Sequence, residues 1–151
     1  MNWRDIDWIR DLWPGKLVLM GIMDVEDAKT AVSAGVDGIV VSNHGGRQLD
    51  GAPATATVLP EIARAVGDRI EVLFDGGIRS GQDVLKALAL GARGCLIGRA
   101  YLYGLAAMGE RGVATALDII RKELEVSMIL TGVEDLQNVD DRVLYRPAVM
   151  N

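Results

Sequence analysis

Short apolar runs alternate with amphipathic segments along this chain, and Gly, Pro or Asp punctuates each change of pattern. Ile6, Ile9 and Leu12 recur at helical spacing, and Pro14-Gly15 ends that segment, which predicts an opening helix leading into a strand. Residues 16–22 (KLVLMGI) form a continuous apolar run of strand length. Asp24 then suits the N-cap of a helix over residues 25–34 that stops at Gly35. The same alternation repeats as a strand at 38–41, a polar glycine-rich loop from Ser42 to about Thr57, and a helix to Val66 stopped by Gly67-Asp68. A strand at 71–74, a helix at 81–90 and a strand at 94–97 follow, ending respectively at Asp75-Gly76-Gly77, Gly91 and Gly98-Arg99. A short helix at 101–107 and a longer amphipathic one at 112–130 close at Thr131-Gly132, with a mixed surface tail beyond.

Successive βα units whose strands read as unbroken apolar runs imply a parallel sheet covered on both faces, joined by right-handed crossovers. A doubly wound sheet and part of a barrel both satisfy that pattern. The polar, glycine-rich turns decide between them: all follow strand C-termini, and the last two have the character of a phosphate site, as after strands seven and eight of a TIM barrel. A complete barrel needs eight units and about 250 residues. The expected fold is therefore α/β, half of a (β/α)8 barrel built from its second four units, with C-terminal helices, and residues 1–151 as a single domain.

Composition narrows the function. Half of the 151 residues are hydrophobic and only 5% aromatic, with 18 glycines, as suits Val/Ile/Leu strands and tight turns. A formal charge of -5 and the absence of any Lys/Arg block argue against a nucleic-acid partner. The single cysteine, Cys95, excludes an internal disulfide framework and multi-cysteine zinc patterns, and reads as a small buried hydrophobe. No metal site is expected. No signal layout or apolar run of about 20 residues is present, so the expected location is the cytoplasm, with peripheral attachment to the inner membrane still compatible. Trp3, Trp8 and Trp13 are read as packing residues, and Glu123 and Glu125 as a solvated helix face.

Candidate chemistry concentrates in Ser42-Asn43-His44-Gly45-Gly46-Arg47-Gln48-Leu49-Asp50-Gly51, which puts the one histidine just beyond a buried strand. An imidazole can accept a proton near neutral pH, and a guanidinium three residues on can grip a carboxylate. The plain alternative is a turn-capping histidine with Arg47 paired to Asp50. In Asp75-Gly76-Gly77-Ile78-Arg79-Ser80-Gly81, paired glycines admit an anion to backbone N–H groups, Arg79 adds a cation, and the helix that follows would direct its positive end to the same place. Ile97-Gly98-Arg99-Ala100 repeats the arrangement. Either turn alone is common punctuation; two in succession suit one phosphomonoester.

The run SNHGGRQLDG resembles the signature of the FMN-dependent α-hydroxy-acid oxidising enzymes, a family that includes glycolate oxidase, L-lactate dehydrogenase and mandelate dehydrogenase. KALALGARGCLIGRAYLYGLAAMGERGV also resembles that family's last strand and following helices, so the likeness covers nearly the whole chain and is nearest to bacterial L-lactate dehydrogenases. It implies FMN-dependent oxidation of an L-2-hydroxy acid, L-lactate foremost. His44 would be the proton-abstracting base, Arg47 the substrate-carboxylate anchor, and Ser42 a neighbour of the flavin ring. Asp75, Gly76, Gly77, Arg79, Gly98 and Arg99 would form the FMN-phosphate and ribityl site.

Two departures from the family qualify that expectation. Met20 stands where the family has a strand-end lysine beside the flavin; read without the family, Met20 is an ordinary core residue. The family's first half-barrel, which supplies flavin-ring contacts, substrate ligands and an aspartate orienting the histidine, has no counterpart in these residues. The resemblance thus implies a homo-oligomer or a complex with an N-terminal half-barrel. An inactive half-barrel that is structural or binds FMN weakly is the alternative.

Overall fold

A computed structural model of the protein describes residues 2–145. Helix α1 (Trp3–Leu12) starts at a reciprocal cap: the Asn2 side chain accepts from the Arg4 N–H at 2.9 Å, and Asp5 accepts from the Asn2 N–H at 2.6 Å. Strands β1 (Val18–Met20), β2 (Gly38–Val41), β3 (Glu71–Phe74) and β4 (Gly94–Cys95) are each followed by a helix: α2 (Val25–Ser33), α3 (Thr55–Val66), α4 (Gly81–Ala89) and α5 (Arg99–Thr131). All three strand pairings are parallel and the spatial order is β1-β2-β3-β4. Sequential parallel neighbours joined by helices make half of a (β/α)8 barrel, as the alternating pattern predicts.

The core lies between the sheet and α2–α3. Ile39 and Val41 of β2, Val72 of β3, and Leu59, Ile62 and Val66 of α3 are all fully buried. Each large aliphatic side chain so buried stabilises the fold by roughly 1.5–3 kcal/mol relative to exposure. At the N-terminal end of the strands Asp37 gathers three donors: Lys16 Nζ at 2.7 Å, the Leu17 N–H at 2.9 Å and Arg10 Nη1 at 3.1 Å. The Lys16 ammonium, with the Leu17 N–H and Arg10, lowers the Asp37 carboxyl to about 2, so it stays ionised at neutral pH and ties α1 to β1 and β2.

Several boundaries differ from the sequence pattern. Only Val18–Met20 of the run at 16–22 and Gly94–Cys95 of the run at 94–97 pair as strand, and α3 begins at Thr55. The two helices expected at the C-terminal end are both present: α5 is kinked at Met108 and Gly109, where the backbone leaves the helical region, into two helical arms. Nor is β1 covered on both faces. Among the described residues it pairs with β2 alone, so Val18 is 44% and Met20 55% exposed, and Met20 is not a core residue there. Of the tryptophans, Trp3 packs on the core, whereas Trp8 and Trp13 are more than half exposed.

Candidate active site

The chain leaves the fully buried β2 through Ser42 into a tight loop. Ser42 is buried, and its Oγ accepts from the His44 N–H at 3.1 Å. Asn43 Oδ1 accepts from the Gly46 N–H at 3.1 Å, while its amide donates to the Pro53 carbonyl at the same distance. These bonds hold His44–Gly46 in a single tight left-handed turn. His44 itself has φ 56, followed by Gly45 at 66 and Gly46 at 75. A left-handed non-glycine residue costs about 1–2 kcal/mol, which the surrounding hydrogen bonds offset.

After β3, Asp75 leads into Gly76 and Gly77, with φ 97 and 156. A Cβ on Gly76 would lie 2.7 Å from Thr55 Oγ1 and 3.3 Å from Asn43 Oδ1, so only glycine lets this turn close against the β2 loop. Next to it, Thr55 Oγ1 and Asp75 Oδ1 are buried without a hydrogen-bond partner among the described residues. Added Cβ atoms on Gly77 and Gly98 would meet nothing within 4 Å, which leaves the backbone of both turns open to an approaching group.

The helix starts at the two turns are chemically opposite. Around the start of α4, the Arg79 and Ser80 N–H groups donate to Asp83 Oδ2 at 3.0 Å, and the Gly81 N–H donates to Glu123 Oε2 at 2.9 Å. The expectation that α4 aims its positive end at an anion is therefore corrected: carboxylates already occupy those donors. Glu123 is exposed, as expected of a solvated helix face, and its carboxylate is one of them. Helix α5 instead begins at Gly98 with no side-chain cap among the described residues, leaving its first N–H groups available.

These elements bound one cleft of about 370 Å³. His44, Gly45 and Arg47 come from the β2 loop; Asp75, Gly76, Gly77, Ile78 and Arg79 from the β3 turn; Gly98 and Arg99 from the β4 turn. Met20, Leu96, Ile97, Tyr101 and Leu102 add an apolar wall. Eight of the nine residues singled out from sequence thus meet in one place, while Ser42 lies beneath the loop and outside the lining. No Arg47–Asp50 ion pair is present among the described residues. Arg99 Nη2 reaches the Gly45 carbonyl at 3.5 Å, linking the β4 turn to the histidine loop. Sequence reasoning missed Thr55 and the Tyr101–Leu102 wall, because a lone threonine at a helix start and two apolar helix residues carry no motif. Burial pushes the Cys95 thiol up to about 11, in keeping with a packing role.

Three arginines and a histidine against one lining aspartate make an anion site, and the parallel βα architecture places it at strand C-termini. Together they define a half-barrel with a cationic cleft at its strand C-termini. The comparisons are more specific, since the family described as FMN-dependent dehydrogenase matches residues 1–146. The L-lactate dehydrogenase of Caulobacter sp. (strain K31) is 59% identical over 146 residues, covering 97% of this chain and 38% of the relative. That of Pseudomonas syringae pv. syringae (strain B728a) is 52% identical over 146 residues, with the same coverage. Among solved structures, mandelate oxidase with (S)-4-hydroxymandelic acid superposes with a TM-score of 0.88 at 50% identity, over 90% of this chain and 38% of that one. The monotopic membrane protein (S)-mandelate dehydrogenase gives 0.90 at 43% identity, over 93% and 37%. The chain belongs to the FMN-dependent dehydrogenase family, and it spans about 38% of the length of the curated relatives it matches.

The residues present fit that cofactor's polar half. A phosphate needs cations and free N–H donors, which Arg79, Arg99 and the uncapped start of α5 offer. A ribityl chain carries hydroxyl donors, which the unpartnered Asp75 Oδ1 can accept.

Proposed function

We propose that this chain carries the FMN-phosphate and substrate-carboxylate part of a site that oxidises an L-2-hydroxy acid, with L-lactate as the substrate. The observation that supports it best is the convergence of His44 and Arg47 with Arg79 and Arg99 in one cleft. In this reading Arg79, Gly98 and Arg99 hold the phosphate, Asp75 accepts from the ribityl hydroxyls, and Gly76-Gly77 admit them. Ser42 acts from beneath, fixing the His44 N–H. Arg47 orients the substrate carboxylate, and His44 takes a proton from the substrate as R-CHOH-COO⁻ becomes R-CO-COO⁻. Bound FMN supplies the acceptor for the two electrons released.

L-lactate is preferred because relatives at 50–60% identity are L-lactate dehydrogenases. The outer edges of β1 and β4 pair with no strand among the described residues, and Val18, Met20 and Leu96 are exposed there. A second half-barrel, from a copy of this chain or from the family's N-terminal half, completes the ring in this reading. No helix among the described residues is long and apolar enough to cross a membrane. In this reading the protein is cytoplasmic and can attach peripherally to the inner membrane; a structural relative is a monotopic membrane protein. Met20 favours a second reading, a cofactor-binding remnant with little turnover, since a thioether offers the flavin no positive charge.

Anaerobic addition of L-lactate to the FMN-loaded chain separates the two readings. Bleaching of the flavin absorbance, faster with L-lactate than with mandelate or glycolate, is the expected result. Bleaching by none of the three would sink the catalytic reading and leave the remnant.

A further inference from the structure

The two anion-binding turns sit on different helices, yet both are braced by the same part of α5. Beyond its break at Met108-Gly109, α5 folds back on its own first turns. A Cβ on Gly104 would stand 2.4 Å from the Gly112 carbonyl oxygen, and one on Gly112 1.8 Å from that of Gly104, so the two arms touch backbone to backbone. The later arm also packs on the start of α4: a Cβ on Gly81 would lie 1.9 Å from the Leu124 N, and Glu123 Oε2 accepts from the Gly81 N–H at 2.9 Å. Gly81 follows Arg79 by two residues, and Arg99 opens the earlier arm. The segment at 110–131 therefore touches the start of α4 two residues past Arg79 and the first arm of α5 five residues past Arg99.

From this we infer that Glu123 is a positioning residue for the phosphate site: by clasping the start of α4 onto the same arm that Gly112 locks to α5, it sets the spacing of Arg79 relative to Arg99. Its carboxylate also satisfies an α4 donor that would otherwise compete for the anion, leaving α5 as the helix start that receives it. Glu123 touches neither substrate nor cofactor. The inference rests on the proposed FMN-phosphate reading.

The test compares FMN with riboflavin, which lacks only the phosphate, by fluorescence titration of the full chain and its variants. Wild type should bind FMN more tightly. Glu123→Ala should lower the FMN-to-riboflavin affinity ratio roughly fivefold, the size of effect expected for loss of one hydrogen bond, with riboflavin affinity unchanged. Glu123→Gln keeps an acceptor oxygen and should restore most of the ratio, while Lys122→Ala on the same arm should leave it at the wild-type value. A Glu123→Ala ratio equal to wild type would overturn the inference while leaving the FMN reading intact, as would equal weakening of both ligands or a failure of Glu123→Gln to restore the ratio. Wild type without preference for FMN would instead overturn the phosphate reading, and the inference with it. Circular dichroism of each variant identifies loss of fold; were Glu123→Ala unfolded, a Glu123→Gln ratio below half of wild type would itself count against the clasp being a hydrogen bond.

Discussion

Replacing His44 by asparagine is expected to slow bleaching of bound FMN by L-lactate about 10²–10⁴-fold, the range general-base catalysis contributes, while FMN affinity stays unchanged. The choice of asparagine follows from the backbone. His44 sits at φ 56, where asparagine is among the few non-glycine residues tolerated, so the variant removes the imidazole without unsettling the loop. The Ser42 Oγ and Asn43 Oδ1 bonds that shape the turn go to backbone N–H groups and do not depend on the imidazole. Stopped-flow absorbance of the flavin band measures the rate. An unchanged rate would remove His44 from the chemistry; loss of FMN binding would make it a structural residue of the cleft.

Met20→Lys should act in the opposite direction. Met20 is 55% exposed and lines the cleft with His44, so an ammonium there keeps enough water to remain charged. By resemblance, the family's lysine at this strand end lies beside the part of the flavin that gains negative charge on reduction. A preorganised cation at such a place is worth a factor of about 10²–10³. The variant should therefore bleach faster with L-lactate by that factor and raise the flavin's midpoint potential. A variant with the wild-type rate and potential would show that position 20 does not face the reacting ring, and with it that the alignment of β1 to the family site is wrong.

The sequence made the architecture readable because a parallel sheet leaves a strong trace: unbroken apolar strands, helical stripes and glycine stops in strict alternation. The site was readable for a related reason. Polar, glycine-rich turns follow the strands directly, which marked Arg79 and Arg99 as candidates, whereas His44 and Arg47 stood out from a turn-capping reading only through the resemblance carried by SNHGGRQLDG; the fold then brings these turns side by side. Exposure was less accessible. The run around Met20 has the same apolar composition as β2, and nothing local says that, among the described residues, β1 has one neighbour while β2 has two.

Helix-end electrostatics failed in an instructive way. Ser80 and Asp83, three residues apart, carry the signature of a reciprocal cap, and that local signal already argued that the start of α4 was satisfied. Glu123 left no such trace, since it lies 42 residues from the N–H it accepts from and comes into place only through the fold-back of α5. The break in α5 lies at Met108-Gly109, inside the gap expected between the helices at 101–107 and 112–130, and backbone contact between Gly104 and Gly112 holds the two arms together.

Direct titration of the purified chain with FMN under anaerobic conditions tests whether this cleft is built for FMN. Saturable binding of one flavin per chain is expected, with a shifted absorbance band and altered fluorescence, and its loss on replacing Arg79 and Arg99 together. Flavin spectra that stay those of free FMN at every chain concentration, or binding that survives loss of both arginines, would contradict it.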